Sequence, residues 1–228
     1  MDRELDKIKI YYTIIPEANW LTPEWLHFFL DEVEMKTYQR YLVTHKKFEF
    51  LIGRALLKTV LADFLGIEIA KLQLRPDEYG KLYLTTPSLN KVAFNLSHSQ
   101  QVVACVVAEN CQIGVDVEKI EKNLMEIAER FFAPQEIEYL KSFDKTMQKE
   151  LIYRIWTLKE AYIKAEGKGL SISLQSFSIF ELSNVFFKTF QIESDYLLSV
   201  AVVNEFNENE YVTIKRVEFD RNLKIKNI

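Results

Sequence analysis

Apolar residues recur along this chain in two rhythms, and each change of rhythm marks where helices give way to strands. Over residues 46–65, Phe48, Leu51, Ile52, Ala55, Leu56, Val60, Leu61, Phe64 and Leu65 follow the spacing of one helical face, and Gly66 supplies a C-terminal stop. Helical patterns also cover 20–42, opening on Thr22 and Pro23 as cap and first turn, then 123–143, and then 149–166, which closes on Gly167 and Gly169. Short apolar runs predict strands at 7–15, 72–74, 81–84, 93–96, 102–108 and 113–117, with 77–80 as a turn. Four more strand candidates, 177–182, 185–192, 196–203 and 211–219, complete the pattern. Helices and strands thus occur in both halves, with a turn signal at Glu109-Asn110 near the midpoint and no repeat of fixed period. The prediction is an α+β chain of two lobes built on mostly antiparallel sheets.

Composition narrows the function classes. With 228 residues and 48% hydrophobic side chains, the chain can bury the core of one large domain or two small, tightly packed ones. A formal charge of -4, from 29 basic and 33 acidic residues, gives no electrostatic reason to bind nucleic acid. The mixed charges of residues 1–7 lack the basic start and apolar stretch of a secretory signal, and the apolar run 102–108 is too short to span a bilayer. Cys105 and Cys111, the only two cysteines, suggest neither a disulfide framework nor a zinc site. These features predict a cytoplasmic protein with no membrane or nucleic-acid partner.

Three segments carry candidate chemistry. In Gly114-Val115-Asp116-Val117-Glu118, strand alternation sends Val115 and Val117 to one face and both carboxylates to the other. Hard oxygen ligands at that spacing suit magnesium, which takes few protein carboxylates; the alternative is a strand whose polar face is simply wet. In the helix predicted over 149–166, Trp156, Glu160 and Lys164 fall at steps of four on one stripe. Glu160 then either joins a metal site while Lys164 neutralises a phosphate oxygen, or the two form a surface ion pair worth about 0.3–0.5 kcal/mol. Phe94-Asn95-Leu96-Ser97-His98-Ser99 runs from a strand into a polar turn, where Ser97 and His98 are either phosphate contacts or ordinary turn residues. No G-x-S-x-G elbow supports a serine hydrolase, and the three histidines, His27, His45 and His98, form no zinc-protease pair.

Taken in order, F-N-L-S-H-S at 94–99, G-V-D-V-E-K at 114–119, R-F-F-A-P-Q-E at 130–136 and W-T-L-K-E-A-Y-I-K-A-E-G-K-G-L at 156–170 resemble the phosphopantetheinyl transferases of the surfactin-synthetase-activating type. The likeness reaches back through Glu78-Tyr79-Gly80-Lys81 and, more weakly, through 52–57. It implies a monomer of two similar α+β lobes forming one pseudo-symmetric unit. Residues 1–110 would take the adenine and 3'-phosphate side of coenzyme A, and residues 111–228 the metal and pyrophosphate side. The implied reaction moves 4'-phosphopantetheine from coenzyme A to a serine of an apo acyl- or peptidyl-carrier protein and releases 3',5'-ADP. By matching positions, Asp116, Glu118 and Glu160 would hold Mg2+, Lys164 would contact the pyrophosphate, and Ser97 and His98 would face the nucleotide phosphates. Tyr79, Gly80 and Lys81 would flank adenine, and Glu136 or Glu160 would be the base.

The sequence departs from the resemblance in its first lobe, where Glu34, Thr37 and Glu49 stand at positions expected to be basic; Arg40, with Lys36, Lys46 and Lys47, would supply charge from shifted positions. Leu82 also replaces a proline that commonly follows Gly-Lys. Two other readings are a magnesium-dependent phosphodiesterase and a non-catalytic coenzyme A- or carrier-binding protein. The acidic balance weighs against a nuclease. The joint presence of Asp116, Glu118, Glu160 and Lys164 weighs against a pure binder.

Overall fold

Two 22-residue helices, each lying on a sheet of its own, set the architecture of the computed structural model, which describes residues 8–16, 22–85, 91–203, 212–220 and 225–227. The described chain opens on strand β1 (Ile8–Ile14), helices α1 (Pro23–Phe29) and α2 (Glu32–Arg40), and the long helix α3 (Thr44–Leu65). A hairpin of β2 (Leu74–Pro76) and β3 (Leu82–Leu84) leads to β4 (Val92–Ser99), β5 (Val102–Glu109) and β6 (Gln112–Lys119). Helices α4 (Met125–Phe131), α5 (Pro134–Lys141) and α6 (Lys145–Glu166) follow. The last elements are β7 (Val185–Ile192), β8 (Tyr196–Val203), β9 (Val212–Phe219) and β10 (Ile225–Asn227).

One sheet runs β10-β9-β1-β5-β4, antiparallel except where β1 meets β9, and the other runs β6-β8-β7, antiparallel throughout. The chain therefore has the mixed α+β, two-part organisation its sequence predicts. One feature is new: β9 and β10 cross back from the second half to extend the first sheet through β1.

Strand β5 shows why the run 102–108 is continuously apolar. Its Val103, Cys105 and Val107 face the core under α3, whereas Val102, Ala104, Val106 and Ala108 face Ile113, Val115 and Val117 of β6 and Leu198, Val200 and Val202 of β8. A strand buried on both faces has no position left for polar residues. The remaining face of the second sheet packs on α6, where Ala161 and Ala165 meet Ala201 and Val203. Gly114 lets helix and strand come this close: a Cβ there would run into the Ala161 carbonyl oxygen and lie 2.5 Å from the Ala165 nitrogen.

Several predicted elements are corrected. The helical pattern over 20–42 divides at Leu30-Asp31, because Asp31 caps α2: its carboxylate accepts from the Val33 and Glu34 amides while Glu34 accepts from the Asp31 amide. The pattern over 123–143 likewise divides before Pro134, which opens α5. The strand expected over 177–182 is absent, since the Phe177 carbonyl and Ile179 amide bond to the side chains of Lys159 and Glu136 instead of a ladder. Lys7, Trp20 and Tyr211, at the edges of predicted elements, lie outside the described residues. Among the described residues, no helix is long and apolar enough to cross a membrane.

Candidate active site

The two sheets meet edge to edge along a polar seam. On β4, Asn95, Ser97 and Ser99 point the same way because side chains alternate along a strand. Asn95 Oδ1 accepts from the Val115 amide at 3.1 Å, and Ser97 Oγ and Ser99 Oγ accept from the Val117 and Lys119 amides, each at 3.3 Å. Side chains thus stand in for the missing backbone ladder between β4 and β6 and satisfy alternate amides of β6.

The same hydroxyls hold the carboxylates. Ser97 donates to Asp116 Oδ1 at 3.0 Å, and Ser99 donates to Glu118 Oε2 at 2.7 Å. Because Val115 and Val117 are drawn into the inter-sheet core, Asp116 and Glu118 project toward α6. There Lys164 Nζ lies 2.7 Å from Asp116 Oδ1 and 2.9 Å from Ser97 Oγ. Asp116, Glu118, Glu160 and Lys164 line one cavity of about 370 Å3 together with Ser97, His98 and Trp156.

Electrostatics in this cavity favour an incoming cation. Burial, then repulsion from Asp116, raises the Glu118 carboxyl to about 7, against a smaller opposing effect of the Ser99 hydrogen bond. Burial and Asp116 also raise Glu160. Asp116 Oδ2 is buried without a hydrogen-bond partner, an orphan that costs free energy unless something fills its coordination. Among the described residues, no three carboxylate, histidine or cysteine side chains form a ready-made metal cage. Hard oxygen donors, an orphaned carboxylate oxygen and raised proton affinities nevertheless fit magnesium, which binds through one or two carboxylates and substrate phosphates.

A wider cleft of about 490 Å3 continues from this cavity through Leu96, His98 and Lys164. Its walls come from α3, the β2–β3 hairpin, β4 and the end of α6. Tyr79 and Gly80 sit at the hairpin tip, which is shaped by Asp77 Oδ1 accepting from the Tyr79 and Lys81 amides, both at 2.9 Å, and by the positive φ of 86° at Gly80. Lys81 reaches across to the last turn of α6 and donates to the Lys164 and Ala165 carbonyls at 2.8 and 2.9 Å. It thereby ties the hairpin to the helix that carries Glu160 and Lys164.

Comparison with known proteins decides what this arrangement belongs to. The family model described as the 4'-phosphopantetheinyl transferase superfamily matches residues 112–214, and the one described as 4'-phosphopantetheinyl transferase, N-terminal, matches residues 19–111. A 4'-phosphopantetheinyl transferase of Bacillus subtilis is 35% identical over 167 residues, covering 68% of this chain and 73% of the relative. The chain belongs to the 4'-phosphopantetheinyl transferase family. The transferase Sfp of Bacillus subtilis strain 168 is 34% identical over the same shares, and HetI of a Nostoc species is 34% identical over 62% of this chain and 61% of its own. The protein is thus an enzyme that moves phosphopantetheine from coenzyme A to a serine of a carrier protein.

Within this transferase not every expected site residue reaches the cleft. Glu136 is fully buried, with both carboxylate oxygens taken: Lys159 Nζ lies 2.8 and 2.7 Å away, and the Ala133 and Ile179 amides each donate at 2.9 Å. It has no path to a substrate hydroxyl, so the geometry gives it a structural task and not that of a base. Together Glu136 and Lys159 pin α5, α6 and the 177–179 segment at one point. Lys159→Met should leave a buried unpaired carboxylate and lower unfolding free energy by about 3 kcal/mol, measured by urea denaturation.

The first-lobe cations are also redistributed. Arg40 is exposed and lies outside the cleft lining, whereas Lys46 and Arg54 line it. Glu34 is buried beneath Arg54 at 3.0 Å and Lys58 at 2.5 Å, holding α2 on α3. The sequence did carry a signal for the seam: Asn95, Ser97 and Ser99 form a polar stripe of period two that alternates with Phe94 and Leu96.

Proposed function

We propose that transfer takes place in the seam cavity, with Asp116, Glu118 and Glu160 holding Mg2+ against the diphosphate of coenzyme A and Lys164 contacting that diphosphate. The observation that carries this reading is the convergence of strand-borne Asp116 and Glu118 with helix-borne Glu160 and Lys164 around one cavity containing an orphaned carboxylate oxygen. Magnesium, when bound, would neutralise charge on the diphosphate and on the departing phosphate. Lys164 supplies a second positive charge, already aimed by Asp116 and Ser97. Ser97 acts here as a positioning group, because its hydroxyl is committed to Asp116, Lys164 and the Val117 amide. Glu160 serves as a ligand first, since bound magnesium would lower the proton affinity that burial and Asp116 raise.

The wider cleft takes the nucleotide end, with Tyr79, Gly80 and Lys81 on one wall and His98 between the two spaces. The same reading has the protein act as a monomer in the cytoplasm. Residues 1–110 would then furnish most of the nucleotide side and 111–228 the metal side. The direct test incubates the enzyme with coenzyme A, Mg2+ and a panel of apo-carrier proteins, then reads each carrier by intact mass. A gain of one phosphopantetheine that a chelator abolishes is expected; a gain that survives complete metal removal would overturn the metal assignment.

The raised carboxyls give a pH signature. Folding favours the neutral form of Glu118, so its stabilising contribution is complete below the ordinary glutamate range and is lost as pH rises through about 7. Metal-free enzyme should therefore lose on the order of 2 kcal/mol between pH 5 and pH 8 from this group. Saturating Mg2+ should raise the Tm more at pH 8 than at pH 5, since the ion competes with protons for the carboxylates. Equal shifts at both pH values would count against Glu118 as a ligand.

A further inference from the structure

The outer part of the wider cleft contains a basic cluster closed around an internal carboxylate. Glu49 is only 4% exposed, yet it lines the cleft. Lys46 Nζ lies 2.5 Å from its Oε2, while His45 Nε2 and His98 Nδ1 lie 3.3 and 3.6 Å from its Oε1. Three basic side chains gathered on one point is how a protein prepares a phosphate site, and here the point is already occupied by an anion. Burial also holds His98 below the ordinary histidine range, so Lys46 is left facing the opposite charge of Glu49.

The other cations of the cleft are committed as well. Arg54 lies against Glu34, Lys164 against Asp116, and Lys81 against the α6 carbonyls. A phosphomonoester entering the outer cleft would have to draw Lys46 away from Glu49 and leave that buried carboxylate uncompensated. The gain from the new contact would be largely cancelled by that loss.

We propose that Glu49 fills the anion position of this cluster, so that the enzyme does not select for the 3'-phosphate and uses 3'-dephospho-coenzyme A about as well as coenzyme A. This rests on the reading of the wider cleft as the nucleotide end. With the dephospho donor, the carrier serine oxygen bonds to the β-phosphorus and the bond from that phosphorus to the bridging oxygen breaks. The serine proton passes to the site carboxylate or to solvent, and AMP leaves in place of 3',5'-ADP.

The test measures kcat/KM for both donors with the full chain, Mg2+ and an apo-carrier, reading the carrier by intact mass and the nucleotide by chromatography. The two values should agree within about threefold, and AMP should appear in equal amount to the modified carrier. Glu49→Gln should free Lys46 and increase the advantage of coenzyme A by about fivefold or more. Lys46→Met, at a half-exposed position, should leave the ratio of the two donors unchanged. A native preference for coenzyme A above tenfold, or a Lys46→Met variant that loses coenzyme A activity selectively, would overturn the inference even if Glu49→Gln fails to fold. Turnover with coenzyme A alone would contradict this inference and spare the transferase reading, whereas turnover with neither donor would strike the assignment of the cleft itself.

Discussion

Asp116→Ala should lower kcat/KM for carrier modification by about a thousandfold or more, the largest catalytic loss of any single substitution in the seam cavity. The carboxylate performs three tasks at once: it aims Lys164, accepts from Ser97, and offers its unpartnered Oδ2 to a cation. Removing a group that stabilises charge developing in the transition state costs about 4 kcal/mol, which corresponds to that factor. Asp116→Asn should lose nearly as much, because an amide can still meet Ser97 but is a poor ligand for a hard cation. Steady-state kinetics, with circular dichroism to confirm the fold, would check both. Activity within tenfold of native in either variant would remove Asp116 from the centre of the site.

The largest loss of stability should come from a methyl group. In Gly114→Ala the added Cβ would meet the backbone of α6 at Ala161, Lys164 and Ala165, and backbone cannot rotate aside as a flexible side chain can. Relief requires the helix to lift from β6, opening the contact among Ala161, Ala165 and Ala201. A loss of about 4 kcal/mol or more is expected, lowering the Tm by about 10 °C for a chain of this size. Because α6 carries Glu160 and Lys164, whatever folded protein remains should also bind metal poorly. A Tm within 2 °C of native would mean that helix and strand have slack that the packing does not suggest.

The two predictions share a cause that was partly legible in the sequence. Alternation in Gly114-Val115-Asp116-Val117-Glu118 correctly separates the valines, which enter the inter-sheet core, from the carboxylates. The four-residue steps from Trp156 to Glu160 to Lys164 correctly place those side chains on one face of α6. Periodicity could not reveal which surface each face meets, since that depends on contacts between residues far apart in the chain. Lys159 illustrates the limit. It lies beside Glu160 in sequence, yet it turns away from the seam cavity and is sealed against Glu136.

Boundaries were missed where a local capping signal was outweighed by longer periodicity. The Asp31-x-x-Glu34 capping box and Pro134 at the start of α5 were both readable, and each ends a pattern that otherwise looks continuous. The absent strand over 177–182 was not readable in the same way. Its apolar residues suit a strand, but its backbone groups are claimed by the buried ion pair. The return of β9 to pair beside β1 is a non-local event for which no short motif in the chain gives notice.

The most direct measurement is a titration of Mn2+, as a paramagnetic substitute for Mg2+, followed by electron paramagnetic resonance in the presence of coenzyme A. Native enzyme should quench the free-ion signal with a defined stoichiometric end point, and a folded Glu118→Gln/Glu160→Gln double variant should leave most of the signal intact. Equal binding by the double variant, or none by the native enzyme with coenzyme A bound, would contradict a metal site at the seam between the two sheets.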